Sequence, residues 1–600
     1  MKTIISIVLM TCLVLNLQSQ IFFEDTAPEH GVAHTIHEWT IGAGISLYDF
    51  NQDGLDDLTL GTELDWPVKF FVNTGSGFEL IEPLIDNTSE IKQVLWVDFD
   101  NDGDPDLHLS SFYGVNRLYE NRGNLNLIDI TEDALLPLDE APSYGACWGD
   151  YNRDGWLDLY TSARGLPGEA TSHLNNRLFE NNADGTFKEV SIEKNVNDPG
   201  KLPFCASFLD FNNDMWPDIY IANDKLTFNT MFQNIKGFYF EDVSAITRTN
   251  MRMNAMCVTT GDYNNDGWTD IYVTNTPVGN KLLTNAQYKN GPEVSYFDYT
   301  NKENVGFYGN GWGSNFIDAD NDGDLDLYVS GSIDGSDGIS SLFYENTGDL
   351  GFVNTKNHGF SGDTTHSFVN AIGDINNDGL LDIVVQNNAP YQTNIWENMS
   401  TNSGHWLKLD LQGVLSNREG IGARIELFDE NFYQSFYTVS GTGFLGQNSR
   451  KIHAGLGNRQ IIDSIRITWP TGHIDRFEEV EANQILKIEE GQTTNGRIDV
   501  NDDVELKFPQ QTTSIVELDD ADQYYTISPN PVQSHLRIHS KKPNNSPTYM
   551  AVYSMDGQRL ITRRITSFPL ELEMSDLQTG VHLIYLSDGK TRSLKKILKI

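Results

Sequence analysis

Seven acidic nonapeptides recur along the chain: DFNQDGLDD (49–57), DFDNDGDPD (98–106), DYNRDGWLD (150–158), DFNNDMWPD (210–218), DYNNDGWTD (262–270), DADNDGDLD (318–326) and DINNDGLLD (374–382). Position one is always acidic: Asp49, Asp98, Asp150, Asp210, Asp262, Asp318 and Asp374. Position three is acidic or amide: Asn51, Asp100, Asn152, Asn212, Asn264, Asp320 and Asn376. Position five holds Asp53, Asp102, Asp154, Asp214, Asp266, Asp322 and Asp378, and position nine holds Asp57, Asp106, Asp158, Asp218, Asp270, Asp326 and Asp382. A hard cation such as Ca²⁺ takes oxygen ligands at a spacing that the backbone sets. These side chains, with the position-seven carbonyls of Leu55, Asp104, Trp156, Trp216, Trp268, Asp324 and Leu380, offer that set.

Glycine at position six permits the sharp turn at positive φ. Met215 replaces it in the fourth copy, so that site is expected to bind most weakly or to carry a distorted turn. A helix–loop–helix calcium site would need Glu at position twelve. Here position twelve is Leu60, Leu109, Thr161, Ile221, Val273, Val329 or Val385, inside a strand. The alternative is a set of acidic turns whose Asp and Asn bond their own backbone. Such clusters would repel one another without a cation, so the expectation is up to seven structural Ca²⁺ ions. The formal net charge is −44, and seven divalent ions would bring it to about −30. Acidity of this size argues against nucleic acid or an anionic membrane surface as partner.

The elements that hold these loops repeat with them. Before each first Asp runs an apolar segment such as QVLWV (93–97), and after position nine another such as DIYVTN (270–275). A third recurs as NRLYEN (116–121), NRLFEN (176–181) and TNIWEN (393–398), and a fourth as LIDIT (127–131) and FEDVS (240–244). Four short strands per period of some fifty residues describe a propeller blade. The seventh repeat lacks a fourth strand, and FEDTA (23–27) is an orphan copy of one. An N-terminal strand completing the last blade would close the ring and hide its edges. The fold class is all-β: a seven-bladed propeller over 21–403, then a small β domain, then a C-terminal Ig-like sandwich.

The repeats resemble the FG-GAP/VCBS repeats of integrin α-like propellers, over about residues 22–400. The resemblance implies structural calcium in loops joining the first two strands of every blade, all on one face, with ligands meeting the opposite face. Downstream, NREGIGARIELF (417–428), SGTGFLGQNSRKIHAGLG (440–457) and IDSIRITWPTGHIDRF (462–477) resemble the ASPIC/UnbV domain of cartilage acidic protein-like proteins. That domain is placed at 404–492, followed by an acidic linker at 493–523. From residue 524 the charge turns positive, and YTISPNPV (525–532), AVYSMDGQRL (551–560) and the LKKILKI ending resemble a type IX secretion sorting domain. An ordinary Ig-like adhesion module is the alternative there. The resemblance implies engagement of the secretion machinery and delivery to the exterior or outer surface of a Gram-negative bacterium.

Residues 1–20 read as a secretory signal peptide, and no later segment reaches the roughly 18 apolar residues of a spanning helix. Cys147, Cys205 and Cys257 remain after its removal, an odd set that makes no disulfide framework. Cys205 and Cys257, at the same place in adjacent inner strands, are read as buried inert thiols. No GxSxG or HExxH motif is present, so no catalytic residue is assigned. His453 is expected to be structural. Six residues before each first Asp stand Ala43, Lys92, Tyr144, Phe204, Met256, Trp312 and Phe368. Their aromatics would form either a sugar-binding mouth or core. Insertions at 162–175 and 331–341, with Trp39, Phe112 and Tyr113, are the more exposed candidates. Two functions follow: a secreted calcium-stabilised binding or adhesion module for a glycan or protein ligand, or a secreted polysaccharide-active enzyme with its site over the channel.

Overall fold

The structure is a computed structural model describing residues 20–493, apart from 33, 37–40, 141, 165–174, 288–293, 333–340, 349–350, 355–357, 361–362 and 402. Nearer the C-terminus it describes 525–528, 534–541, 548–554, 559–565, 569–574, 577, 580–587 and 592–599. The leader, the linker, Trp39 and most of the two long insertions therefore lie outside the described residues.

Among the described residues there is no α-helix, and no helix is long and apolar enough to cross a membrane. The described residues of 21–398 form seven antiparallel meanders, each with its first strand innermost, and one small two-stranded sheet of Thr227–Phe228 and Arg252–Met253. Glu90–Val97, Asp106–Tyr113, Arg117–Asn121 and Leu127–Asp129 make one such meander. The register at the loop is identical in all seven. The residue before the first Asp pairs with position nine: Tyr48 with Asp57, Val97 with Asp106, Gly149 with Asp158, Leu209 with Asp218, Gly261 with Asp270, Ile317 with Asp326 and Gly373 with Asp382. Each loop thus hangs from the same rung of its ladder, because the same alternation of apolar residues fixes both strands against their neighbours.

Each innermost strand touches the next, and Ser367–Gly373 of the last sheet touches Ile45–Tyr48 of the first. The orphan strand Phe23–Asp25 pairs with Asn394–Asn398, Phe23 opposite Asn398, as the sequence leads one to expect. Between sheets lie apolar layers; one joins Tyr151, Leu178, Val196, Phe208, Ile219 and Phe232. This is propeller packing, in which each sheet buries both faces against its neighbours.

Residues 404–493 belong to the same compact unit as the repeats. Their own core, with Leu409, Ile425, Leu427, Ile465, Ile467 and Trp469, lies between a three-stranded sheet around His405–Gln412 and a four-stranded one around Arg424–Asp429. The C-terminal unit is separate. It has a three-stranded sheet (Tyr525–Ser528, His535–Ser540, Leu570–Glu573) and a four-stranded one (Arg559–Ile565, Thr548–Ser554, Gly580–Ser587, Arg592–Lys599). Leu536, Ile538, Val552, Ile584 and Ile597 form their shared core.

Candidate metal centres

Each loop is shaped by its own acidic side chains. In the first, the Asp53 N–H donates to Asp49 Oδ1 and to Asn51 Oδ1 (both 2.9 Å), the Gly54 N–H to Asp49 Oδ2 (2.9 Å) and the Leu55 N–H to Asp53 Oδ1 (3.0 Å). The third, fourth, fifth and seventh loops repeat these bonds. They occupy part of each carboxylate's accepting capacity and aim the remainder inward. The fourth loop is not distorted by its methionine: Met215 adopts φ of 65° and its N–H still reaches Asp210 Oδ2 at 2.8 Å. The expected distortion is therefore absent, because the side chain stays in the left-handed region at the cost of strain rather than displacing the turn.

Position nine is buried in every copy. Its Oδ1 accepts from the backbone N–H of the Asn ending the third strand, at 2.6 to 2.9 Å, in all seven sheets: Asn73, Asn121, Asn181, Asn234, Asn285, Asn346 and Asn398. The same Asn donates its Nδ2 to the position-eight carbonyl of its own loop. In six copies it also reaches the position-two carbonyl of the preceding sheet, as from Asn181 to Phe99 O (3.0 Å) and from Asn73 to Ile375 O (2.7 Å). Sequence reasoning noted these asparagines only as ends of the third segment. Their invariance across copies was the available signal.

A second set was also missed. The position-four residues Gln52, Asn101, Arg153, Asn213, Asn265, Asn321 and Asn377 all have φ between 54° and 61°. Asn tolerates that region best among non-glycine residues. Six of them donate to the position-six carbonyl of the next loop: Gln52 to Gly103, Asn101 to Gly155, Asn213 to Gly267, Asn265 to Gly323, Asn321 to Gly379 and Asn377 to Gly54. The ring breaks only between loops three and four. There Arg153 stands in place of the amide, and its guanidinium lies 5.0 Å from the Trp216 ring centre.

Electrostatics leave these carboxylates short of a counter-charge. Burial, with neighbouring carboxylates adding to it, pushes Asp57, Asp150, Asp210 and Asp262 up to about 7 and Asp98 to about 8. Asp158, Asp218, Asp270, Asp318, Asp326 and Asp382 also lie well above the usual carboxylate range, burial being the largest cause. Oxygens of Asp98, Asp100 and Asp106 come within 4.8 Å of one another, as do those of Asp318, Asp320 and Asp322. In loop two the bond from position five to position one is missing, and Asp98 Oδ1 is buried without a hydrogen-bond partner. Asp270 Oδ2 in loop five is in the same condition. Buried carboxylate oxygens that lack a donor are what a divalent cation would satisfy, so the donor set fits the ion.

The domain at 404–492 lies on these loops. Lys451 Nζ donates to Gly54 O (3.2 Å) and pairs with Asp56 (3.0 Å); the Arg418 N–H donates to Asn101 Oδ1 (2.8 Å). Pro470 O accepts from Arg153, Arg424 donates to Gly267 O (2.8 Å), Gln434 to Gly323 O (2.8 Å), and Lys408 to Asn377 Oδ1 (2.9 Å) while also pairing with Asp374. His453, as expected, is structural: its Nε2 meets Asn321 Oδ1 at 2.7 Å, and burial pushes it down to about 3, hence neutral. Among the described residues, only the Met215 turn exchanges no hydrogen bond with this domain.

From the same domain, 440–449 enters the space enclosed by the innermost strands. Gly446–Gln447 adds to Ile45–Tyr48 as a parallel strand, and isolated bridges join Ser440 to Trp148 and Gly443 to Val258. The Gln447 amide accepts from Ser46 Oγ (2.6 Å) and the Trp96 N–H (2.9 Å) and donates to Trp96 O (2.7 Å). Asn448 accepts from the Ile372 N–H (3.0 Å) and donates to Asn315 Oδ1 (2.8 Å). A Cβ on Gly446 would stand 2.6 Å from Asn370 O, so only glycine fits there. Phe444, fully buried, contacts Phe204 and Trp312, with Tyr144, Met256 and Phe368 in the same cluster. The aromatics six residues before each loop are therefore core packed on this plug. Phe112 leans on the same cluster while Tyr113 is exposed. Cys147, Cys205 and Cys257 are buried free thiols pushed up by burial.

With that geometry in place, comparison with known proteins defines the class. The FG-GAP-like repeat profile matches residues 49–109, 98–161, 210–273 and 318–385, the ASPIC and UnbV profile 413–495, and the secretion system C-terminal sorting domain profile 526–600. The chain thus carries FG-GAP-like repeats, which imply a β-propeller, followed by segments that match an ASPIC/UnbV domain and a sorting domain. The last marks it as a secreted or outer-surface protein of a Bacteroidetes-type bacterium.

Among individual proteins it is 21% identical over 488 residues to human Cartilage acidic protein 1, covering 74% of this chain and 62% of that protein's length. Similar solved structures include the SapL1 lectin in complex with alpha methyl fucoside (13% identity, TM-score 0.32, 52% of this chain and 95% of that one). An auxiliary nutrient binding protein from Bacteroides thetaiotaomicron matches at 10% identity and TM-score 0.31, over 52% of this chain and 74% of that one. Likenesses this distant carry nothing about the ligand.

Proposed function

We propose that the protein is a secreted, calcium-stabilised, seven-bladed propeller acting as a binding or adhesion module for an extracellular glycan or protein, carried out of the cell by an N-terminal signal peptide and a C-terminal Ig-like sandwich. The observation that carries the calcium reading is the buried, donor-less Asp98 Oδ1 in a loop whose shape recurs seven times. Asp or Asn at positions one, three, five and nine, with the position-seven carbonyl, would hold each ion. Bound there, Ca²⁺ supplies positive charge that lets these carboxylates ionise together. The chain's own residues do the rest: the third-strand asparagines orient position nine, and the position-four amides tie loop to loop.

Binding is favoured over the alternative of a polysaccharide-active enzyme because residues 440–449 fill the space in which a channel site would lie. The test is thermal unfolding of the purified protein in EDTA and in millimolar Ca²⁺, with bound metal counted in parallel. Six or seven ions and a large calcium-dependent rise in Tm are expected. No shift, or one or two ions, would return most loops to acidic turns.

A further inference from the structure

Loops one and two differ from loops three, five, six and seven in what covers them. Gly155, Gly267, Gly323 and Gly379 are buried beneath the second domain, whereas Gly54 and Gly103 stay half-exposed. Between these two loops and the strands His405–Gln412 and Gln484–Glu489 lies a cavity of about 950 Å³, large enough for an oligosaccharide segment. Its lining includes Asp49 and Asp53 of loop one and Asp98 of loop two, 4% exposed, whose Oδ1 is buried without a hydrogen-bond partner. The walls carry two cations not committed to tight pairs: Arg418, with Nε 3.9 Å from Asp98 Oδ2, and exposed Lys487, which forms no ion pair among the described residues. The neighbouring Arg450 and Lys451 are already held by Asp410 and Asp56. The amides of Gln412 and Gln492 also line the walls.

We propose that this cavity binds a carboxylate-bearing oligosaccharide, a uronic acid chain, with the ligand carboxylate meeting the outward face of the cation in loop two and Arg418 and Lys487 beside it. The proposal rests on the calcium reading above. Without metal the cavity is lined by more acids than bases and repels an anion; divalent ions in loops one and two reverse that sign. Amides that both donate and accept suit hydroxyl groups, and the two exposed cations suit the acid. Loops covered by the second domain have no such access, so one seam of the ring is set apart for binding.

The experiment is titration of the full-length protein with trigalacturonate, maltotriose and triglutamate, in Ca²⁺ and in EDTA, with bound calcium counted in every sample. Trigalacturonate should bind only with Ca²⁺, and Lys487→Glu or Arg418→Ala should weaken it by about tenfold or more while metal count and Tm stay unchanged. Lys487 is exposed on its strand, so its variant keeps the test valid if Arg418→Ala fails to fold. A calcium-loaded protein that ignores trigalacturonate, or binds it equally in EDTA or as both variants, overturns the inference and leaves the calcium reading standing. Equal binding of triglutamate overturns the saccharide assignment. A protein that takes up no calcium brings down both.

Discussion

The loop ring and the plug perform related tasks with opposite chemistry. The ring is polar and acidic, repeated seven times, and linked, except between loops three and four, by amide-to-carbonyl bonds such as Asn265 to Gly323 O. The plug is a single apolar and amide segment, 440–448, against strands from every sheet. The ring gathers carboxylates whose pKa values burial raises, so on the calcium proposal its stability is conditional on an ion. The plug buries its side chains outright, and its contribution depends on no ligand. A propeller held both ways can be loosened from the loop face while its centre stays shut.

Chelation should produce the largest effect. Each site held at ten times its Kd stabilises by about 1.4 kcal/mol, so emptying several removes most of a domain's margin. The effect should depend on pH. The loop carboxylates have folded pKa values raised to about 7 for Asp57 and about 8 for Asp98, so the metal-free fold is favoured at acid pH. That stability is lost as pH rises through those values. In EDTA, Tm should fall between about pH 5 and 8, and Ca²⁺ should close the gap with proton release, read by titration in weakly buffered solution. A Tm that rises with pH in EDTA would show that the carboxylates are not strained against one another.

Phe444→Ala comes next, at about 3–5 kcal/mol in denaturant unfolding, and unlike chelation its cost should be the same in EDTA as in Ca²⁺. A cost that vanishes in EDTA would make the plug part of the ring's response rather than independent of it. Asn181→Ala should cost about 1–3 kcal/mol, since it strands the buried carbonyls of Phe99 and Leu157. The smallest effect belongs to Met215→Gly, which should gain about 1 kcal/mol by relieving positive φ. If it instead changes the metal count by one ion, the methionine governs occupancy rather than strain.

The acidic loops were legible because the motif is local: its side chains lie within nine residues, and repetition multiplies a weak signal. Blade closure by Phe23–Asp25 was legible for a similar reason, as an orphan copy of a repeated strand. The third-strand asparagines were visible as letters but not as a function. The carbonyls they satisfy lie some sixteen or eighty residues away, as for Asn234 with Pro217 and Tyr151. The plug gave less warning still. GTGFLGQN matches a family motif, yet nothing in its composition says that Gln447 bonds residues about 350 to 400 positions earlier.

By itself, then, the sequence determined the period, the four strands of each repeat, the acidic loops and the C-terminal sorting signal, because each is written in short-range pattern. Only the tertiary structure decided which loops the second domain buries, that Phe444 occupies the centre, and that a cavity opens beside loops one and two. Those outcomes depend on which surfaces meet once seven sheets have closed, and contacts between distant segments leave no period to read.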